Sequence, residues 1–302
     1  MDYRISTITA IAKLNYLIDL EKLYNIIEED EQKQIFFTNS SYEKIKINQV
    51  LFIEYGKTKD ISNSKGINPK NVKKKKYKKK NITKKRFDNQ LTLILSLNNN
   101  NINMKLFKNG RIQMTGLKDI NNGPVAIKTI ITLINSLNII TNNIIFNDEN
   151  DNNENDDEND NDDNDENDDK ILEFYDYKIC LINSDFKFSS KLRRNKLFEY
   201  LNNNTELICS YEPCIYPGVK IQFFYNNLND GICRCDDGFC SNKNKKSLCT
   251  KITVAIFESG CTIITGAKSL EQINITYNFI KELLKKNIDN FKKFDIDESL
   301  LL

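Results

Sequence analysis

The chain has 302 residues, 39% of them apolar, and a formal charge of +2 made from 44 basic and 42 acidic side chains; one large domain or two modest ones fit that length. Histidine is absent, which removes the commonest general base and excludes a Ser-His-Asp triad. The small total hides a separation, because residues 70–86 are almost wholly basic and residues 148–169 almost wholly acidic.

Asparagine, lysine and isoleucine are heavily used and tryptophan is missing, the imprint of an A/T-rich genome. The opening MDYRISTITAIAKL has an early acid and no uninterrupted apolar core, so no secretory signal is expected. No run approaches the roughly 20 apolar residues of a membrane span. An intracellular monomer away from membranes is expected. Its eight cysteines should be free or metal-bound thiols rather than disulfides.

Residues 3–18 alternate and are rich in Ile, Thr and Leu, which predicts a strand. Asp19 is placed to cap a helix whose Leu20, Leu23 and Ile27 recur at helical spacing. SSYEKIKINQVLFIEYG (Ser40–Gly56) predicts one or two strands, and its internal counterpart is CSYEPCIYPGVKIQFFY (Cys209–Tyr225), with Val50 matching Val219 and Ile47 matching Tyr216. A Lys-rich insertion (57–86) follows, then FDNQLTLILSL. MKLFKNGRIQMTGLKD (Met104–Asp119) has the pattern of a hairpin running into a helix. Gly123-Pro124 marks the helix start, and Ile127, Ile130, Ile131, Ile134 and Leu137 form its apolar stripe.

Residues 1–140 thus form a first repeat. Residues 141–170 form an acidic linker, without an apolar residue from Asn147 to Lys170 and expected to be disordered. Residues 171–290 form a second repeat carrying a Cys-rich insertion (229–250), and residues 291–302 a tail. The second repeat runs through a strand at Asp176–Ser189, a helix at Lys191–Leu201, strands from Cys209 to Tyr225, a hairpin, and a closing helix with Ile273, Tyr277, Ile280 and Leu284 on one face. VAIFESGCTIITGAKS (Val254–Ser269) matches Met104–Asp119 without a gap: Phe107 meets Phe257, Gly110 Gly260, Thr115 Thr265, and Lys118 Lys268. Two copies of one unit, each a strand, a helix, several antiparallel strands and a helix, predict an α+β fold.

Strand alternation divides the hairpin side chains between two faces. Ile252, Val254, Ile256, Thr262 and Ile264 should lie under the helices, as should Ile112 and Met114. Arg111, Gln113, Thr115, Phe257, Ile263 and Thr265 should stay on the free face. Hydroxyls and small apolar groups suit the acceptor-lined floor of an A·T minor groove, an aromatic at a strand end can wedge between base pairs, and lysines beyond the turn can meet phosphate.

SYEPCIYPGVKIQF (Ser210–Phe223), then VAIFESGCTIITGAKS and its helix, resemble the second repeat of the TATA-box-binding proteins. That repeat reads tyrosine-glutamate-proline, an aromatic, proline-glycine, and later a phenylalanine-x-serine-glycine turn and threonine-glycine-alanine-lysine. DFKFSSKL (Asp185–Leu192) also fits, and LFKNGRIQMTGLK (Leu106–Lys118) fits the first repeat more loosely. The composition and insertions resemble the divergent versions carried by large DNA viruses of eukaryotes. The resemblance implies a saddle of two β-α-β(4)-α repeats in one curved antiparallel sheet, with DNA on the concave face and helices on the convex face. It implies transcription initiation without enzymatic activity, in a viral factory, host nucleus or virion. Its implied partners are double-stranded DNA and a transcription factor IIB-like protein or RNA polymerase subunits. Phe107 and Phe257 fall on wedge positions, Thr115 and Thr265 on base-contacting ones, and Lys118 and Lys268 on backbone-contacting ones. Tyr216 takes the other wedge of the second repeat. Its first-repeat counterpart is Ile47 by internal alignment, or the Lys85-Arg86-Phe87 segment by likeness to the family. Ser6 stands near the position of the first opening-strand asparagine. Gln113, Ile263 and Arg86 complete the expected DNA surface.

The basic insertion should attract phosphate irrespective of sequence. A saddle that has lost DNA binding and serves as a protein-interaction module, or a nucleic-acid binder working through this loop, are the alternatives. In the second insertion, Cys233, Cys235, Cys240 and Cys249 can supply four thiolates to a structural zinc. Cys180, Cys209, Cys214 and Cys261 are expected as ordinary thiols in strands.

Overall fold

The computed structural model describes residues 3–30, 36–38, 44–46, 50–55, 64–66, 89–97, 99–141, 144–146, 171–235, 240 and 249–293. Its contacts divide the chain into residues 10–178 and a second unit of residues 1–9 with 179–302. Most of the Lys-rich insertion and all of the acidic linker lie outside the described residues.

The unit of residues 10–178 begins within β1 (Arg4–Leu14) and continues through β2 (Leu17–Ile18), α1 (Leu20–Asp30), β3 (Phe36–Thr38), β4 (Lys44–Lys46), β5 (Val50–Tyr55) and β6 (Ser64–Gly66). β7 (Gln90–Leu97), β8 (Asn100–Phe107), β9 (Arg111–Leu117), α2 (Asn122–Thr141) and β10 (Ile145–Phe146) complete it. The strand order is β1-β9-β8-β7-β5-β6. Asp19 caps α1 as the sequence predicts, its Oδ1 accepting from the N–H groups of Glu21 and Lys22 at 3.1 and 3.0 Å. Pro124 lies in the first turn of α2, where its missing N–H has no cost.

The second unit holds most of β11 (Phe174–Lys187), then α3 (Arg194–Asn204), β12 (Ile208–Ser210), β13 (Val219–Tyr225), β14 (Thr250–Ile256), β15 (Cys261–Ala267) and α4 (Leu270–Lys286). Its strand order is β12-β13-β14-β15-β11-β1. Ser269 caps α4 by accepting from Gln272 N, while Gln272 Oε1 accepts from Lys268 N at 2.7 Å. This reciprocal pair is the reason the helix starts there. The described strands and helices have the α+β class that the sequence predicts; the second repeat shows the β-α-β(4)-α order, and the first adds the short strands β2, β3, β4, β6 and β10 to it.

The repeats correspond in detail. Leu14 N donates to Gly110 O and Phe188 N to Gly260 O, both at 2.9 Å. Leu23 and Ile27 of α1 are buried as Leu197 and Leu201 of α3 are. Tyr24 meets Tyr55 with ring centroids 6.1 Å apart, as Phe198 meets Tyr211 at 6.2 Å. Ile130 and Ile134 of α2 are buried as Ile280 and Leu284 of α4 are.

These pairings correct the internal alignment of Ser40–Gly56 with Cys209–Tyr225. Leu91 pairs with Leu106 on β8 as Val219 pairs with Ile256 on β14, so β7 is the counterpart of β13, and β5 that of β12. Both are apolar strands that suit either position, which is why likeness alone misplaced them. Two other boundaries differ. The helix after β11 begins at Arg194 rather than Lys191, because Leu192 forms a β-bridge with Lys292 and Arg193 N donates to Phe291 O at 2.7 Å. Strand structure is interrupted between Ser210 and Val219 by a turn in which the N–H groups of Ile215 and Tyr216 donate to Glu212 O. Cys214 therefore lies exposed in that turn and not in a strand.

Candidate nucleic-acid interface

In the first repeat, Ile112 and Met114 of β9 are buried, whereas Gln113 between them and Thr115 after them are half-buried and Arg111 is exposed. Alternation alone accounts for this division. Thr115 stands opposite Asn103 and Gln113 opposite Lys105 on β8, so one polar row crosses both strands. Phe107 ends β8 and is half-buried. The turn after it needs a glycine. Gly110 has φ +73°, and a Cβ there would lie 2.7 Å from Tyr16 O. Phe107, Gln113, Arg111 and Lys108 line a cleft of about 820 Å³ together with Lys13 and Lys178. Its wall is rich in cationic groups, which attract phosphate. Lys118 follows β9 and is exposed.

The second repeat has the same arrangement with more of it described. Ile252, Val254, Ile256, Thr262 and Ile264 are buried. Thr253 and Thr265 are half-buried cross-strand partners, and Ile263 is 37% exposed. Phe257 and Tyr216 meet with centroids 5.8 Å apart and planes at 57°, and Lys220 Nζ lies 4.2 Å from the Tyr216 ring centroid. Gly218 makes room for both rings: a Cβ there would be 2.9 Å from Tyr216 Cε1 and 3.2 Å from Phe257 Cε1. The turn beyond Phe257 is held from outside. Glu258 takes Arg194 Nη2 at 3.1 Å and Lys293 Nζ at 2.5 Å, and Arg194 Nη1 donates to Pro217 O at 2.7 Å. Those cations, Lys293 first, hold the Glu258 carboxyl below its ordinary range. Lys268 is exposed at the start of α4.

Sequence reasoning missed one member of this face. Thr265 Oγ1 bonds to Asn183 Oδ1 at 2.5 Å. Asn183 sits in β11 between the buried Ile182 and Ser184, so it shares the uncovered face. Its counterpart in β1, counted from the matching bonds of Leu14 and Phe188, is Thr9, not Ser6. β11 also shifts register by one residue against β15 between Ile182 and Ser184. The corrected strand pairing also moves the first-repeat counterpart of Tyr216 from Ile47 to the segment at Phe87-Asp88. Those residues, Ile47 and Arg86 lie outside the described residues.

A family model described as "Transcription factor TFIID (or TATA-binding protein, TBP)" matches residues 177–287. A protein of Acanthamoeba polyphaga mimivirus named "TATA-box-binding protein-like" is 28% identical over 312 residues, covering 99% of this chain and 69% of that protein. Over residues 177–287 the chain is similar to the TATA-binding proteins. The Methanococcus jannaschii TBP structure superposes on it with a TM-score of 0.46 and 16% identity, covering 95% of this chain and 99% of its own. Among the described residues no helix is long and apolar enough to cross a membrane.

Within the matched span, the sulfurs of Cys233, Cys235, Cys240 and Cys249 all lie within 4.8 Å of one another. Cys233 Sγ is 3.0 Å and Cys235 Sγ 3.2 Å from Cys240 Sγ. The donor set suits a soft divalent metal. Cys209, by contrast, is an isolated thiol that burial pushes up to about 11, which leaves it protonated and unreactive at neutral pH.

Proposed function

We propose that this chain is a transcription initiation factor that binds duplex DNA in the minor groove through the uncovered face of its repeats. The observation that carries the reading is the duplicated row on that face: Phe107, Gln113 and Thr115 in one repeat, Phe257, Ile263 and Thr265 in the other. Asn183 strengthens it chemically. With Oδ1 engaged by Thr265, the amide group left to Asn183 is a donor, and minor-groove edges of A·T pairs offer only acceptors. Phe107 and Phe257 act as wedges with Tyr216 beside the latter, and Lys118 and Lys268 meet phosphate. The helices of each repeat supply surface for a transcription factor IIB-like protein or polymerase subunits, and the role is non-enzymatic. The cofactor on this reading is a structural Zn²⁺ at Cys233, Cys235, Cys240 and Cys249.

The Lys-rich run at Lys73–Lys80 favours a second reading, nucleic-acid binding without sequence preference. Binding and bending of A/T-rich and G/C-rich duplexes separate the two. The minor-groove reading expects A/T preference, a bend, and loss of both in the Phe107→Ala/Phe257→Ala double variant. Equal binding of all duplexes, abolished by neutralising Lys73–Lys80, overturns it in favour of the loop. Absence of binding in both variants and wild type leaves a protein-interaction module.

A further inference from the structure

The last rung of the β13–β14 ladder is Tyr225 with Thr250. Beyond it the two strands continue as Asn226 and Cys249, the ends of the Cys-bearing insertion. Asn226 Nδ2 donates to Ile232 O at 2.8 Å and reaches Cys249 Sγ at 3.7 Å, while its Oδ1 accepts from Leu228 N at 3.0 Å. Phe224 N donates to Gly231 O at 3.0 Å, and these two residues form a β-bridge. Cys233 is thereby tied to the sheet two residues along, and Cys249, which is buried, leads directly into β14. Cys235 and Cys240 meet them there.

Resting on the zinc reading above, we propose that Zn²⁺ bound by these four thiolates is the closing rung of the β13–β14 hairpin, and that Asn226 is its positioning residue. Four thiolates around zinc at about 2.3 Å have sulfurs roughly 3.8 Å apart. The observed separations, from 3.0 Å to under 4.8 Å, bracket that value. A disulfide needs sulfurs at about 2.05 Å, shorter than any of these. Binding displaces the thiol protons to solvent, so the site holds best toward alkaline pH. The physical gain is in loop closure. Residues 226–249 separate paired strands, and the entropic cost of closing a loop grows with its length. A metal at its base lets Cys249 enter β14 from a fixed point. The N–H···S contact from Asn226 supports the thiolate from outside the coordination sphere, where such partners commonly set affinity.

The test uses the full chain purified without chelator. Metal analysis is expected to find about one equivalent of zinc, with four thiols becoming reactive on chelation. Hydrogen exchange after zinc removal is expected to accelerate at Tyr225 and Thr250 and not at Val219 and Ile256. Asn226→Ala is expected to lose zinc to a competing chelator at roughly tenfold lower concentration or less. Less than about half an equivalent of zinc, with the four thiols paired as disulfides, overturns both the zinc reading and the rung. One equivalent of zinc with unaltered exchange on removal and unaltered retention in Asn226→Ala leaves the zinc reading and overturns the rung. If Asn226→Ala does not fold, the exchange measurement on wild type decides alone.

Discussion

Ser184 is fully buried, and its hydroxyl finds no partner among the described residues. The other repeat carries Ala10 at the same place, also fully buried. Replacing a buried hydroxyl that makes no bond removes a desolvation cost, so Ser184→Ala is expected to raise stability by about 1 kcal/mol in urea unfolding. Thr265→Val keeps the shape of its side chain and removes the bond to Asn183. It is expected to weaken A/T-rich duplex binding by about 1 kcal/mol, roughly fivefold in Kd, read by fluorescence anisotropy. Glu258 offers a pH signature. Its folded pKa is depressed by Lys293 and Arg194, so its contribution is present above the ordinary value of 4.5 and is lost as pH falls through the folded value. Glu258→Gln should therefore be less stable than wild type at neutral pH and converge with it in strong acid. The difference is small, because the pair is open to solvent. The hydroxyl and aromatic positions of this face were legible in the sequence because alternation alone assigns a face. Asn183 was not, because the buried Ser184 beside it breaks the apolar-polar alternation that marks the covered face.

At the scale of elements, the hairpin turns carry the most constraint. Gly260 has φ +82°, and a Cβ there would lie 2.5 Å from Phe188 O and 2.7 Å from Ser190 O. Backbone cannot retreat as a flexible side chain can. Gly260→Ala is expected to cost at least 2 to 3 kcal/mol in thermal or urea unfolding, about the size of a strained left-handed residue plus a steric clash. Gly218→Ala should be milder in stability, since the atoms it meets belong to the half-exposed rings of Tyr216 and Phe257. The hairpins and the described α-helices were legible because glycine turns, an Asp cap and apolar stripes each act over a few residues. The pairing of β5 and β7 was not. β7 lies next to β8 because only Asn98-Asn99 separates the residues of their last rung, and the likeness of Ser40–Gly56 to Cys209–Tyr225 outweighed that short connector.

For the molecule as a whole, the order of the chain and the membership of its compact units do not coincide. Residues 1–9 belong with residues 179–302. Within that unit Tyr3 packs against Tyr277 with centroids 5.1 Å apart and planes at 54°, and Arg4 Nε bonds both oxygens of Asp185 at 3.1 and 2.9 Å. β1 flanks β11 in the strand order. A fragment starting at residue 171 would lack all three and present β11 as an uncovered edge. It is expected to melt lower than the full chain and to self-associate, by light scattering, and to be rescued by fusing residues 1–14 back through a flexible linker.

The register of the two hairpins has a practical corollary. In one repeat Leu97 and Asn100 form the last rung and Asn98-Asn99 joins them, with Asn99 at φ +63°. In the other, Tyr225 and Thr250 form the equivalent rung and residues 226–249 join them. The two connectors leave from equivalent rungs of equivalent ladders. A chain in which Asn98-Asn99 replaces residues 226–249 would keep every rung from Val219 to Tyr225 without any thiolate cluster. Such a graft separates what the Cys-bearing loop contributes from what the strands beneath it contribute to the architecture.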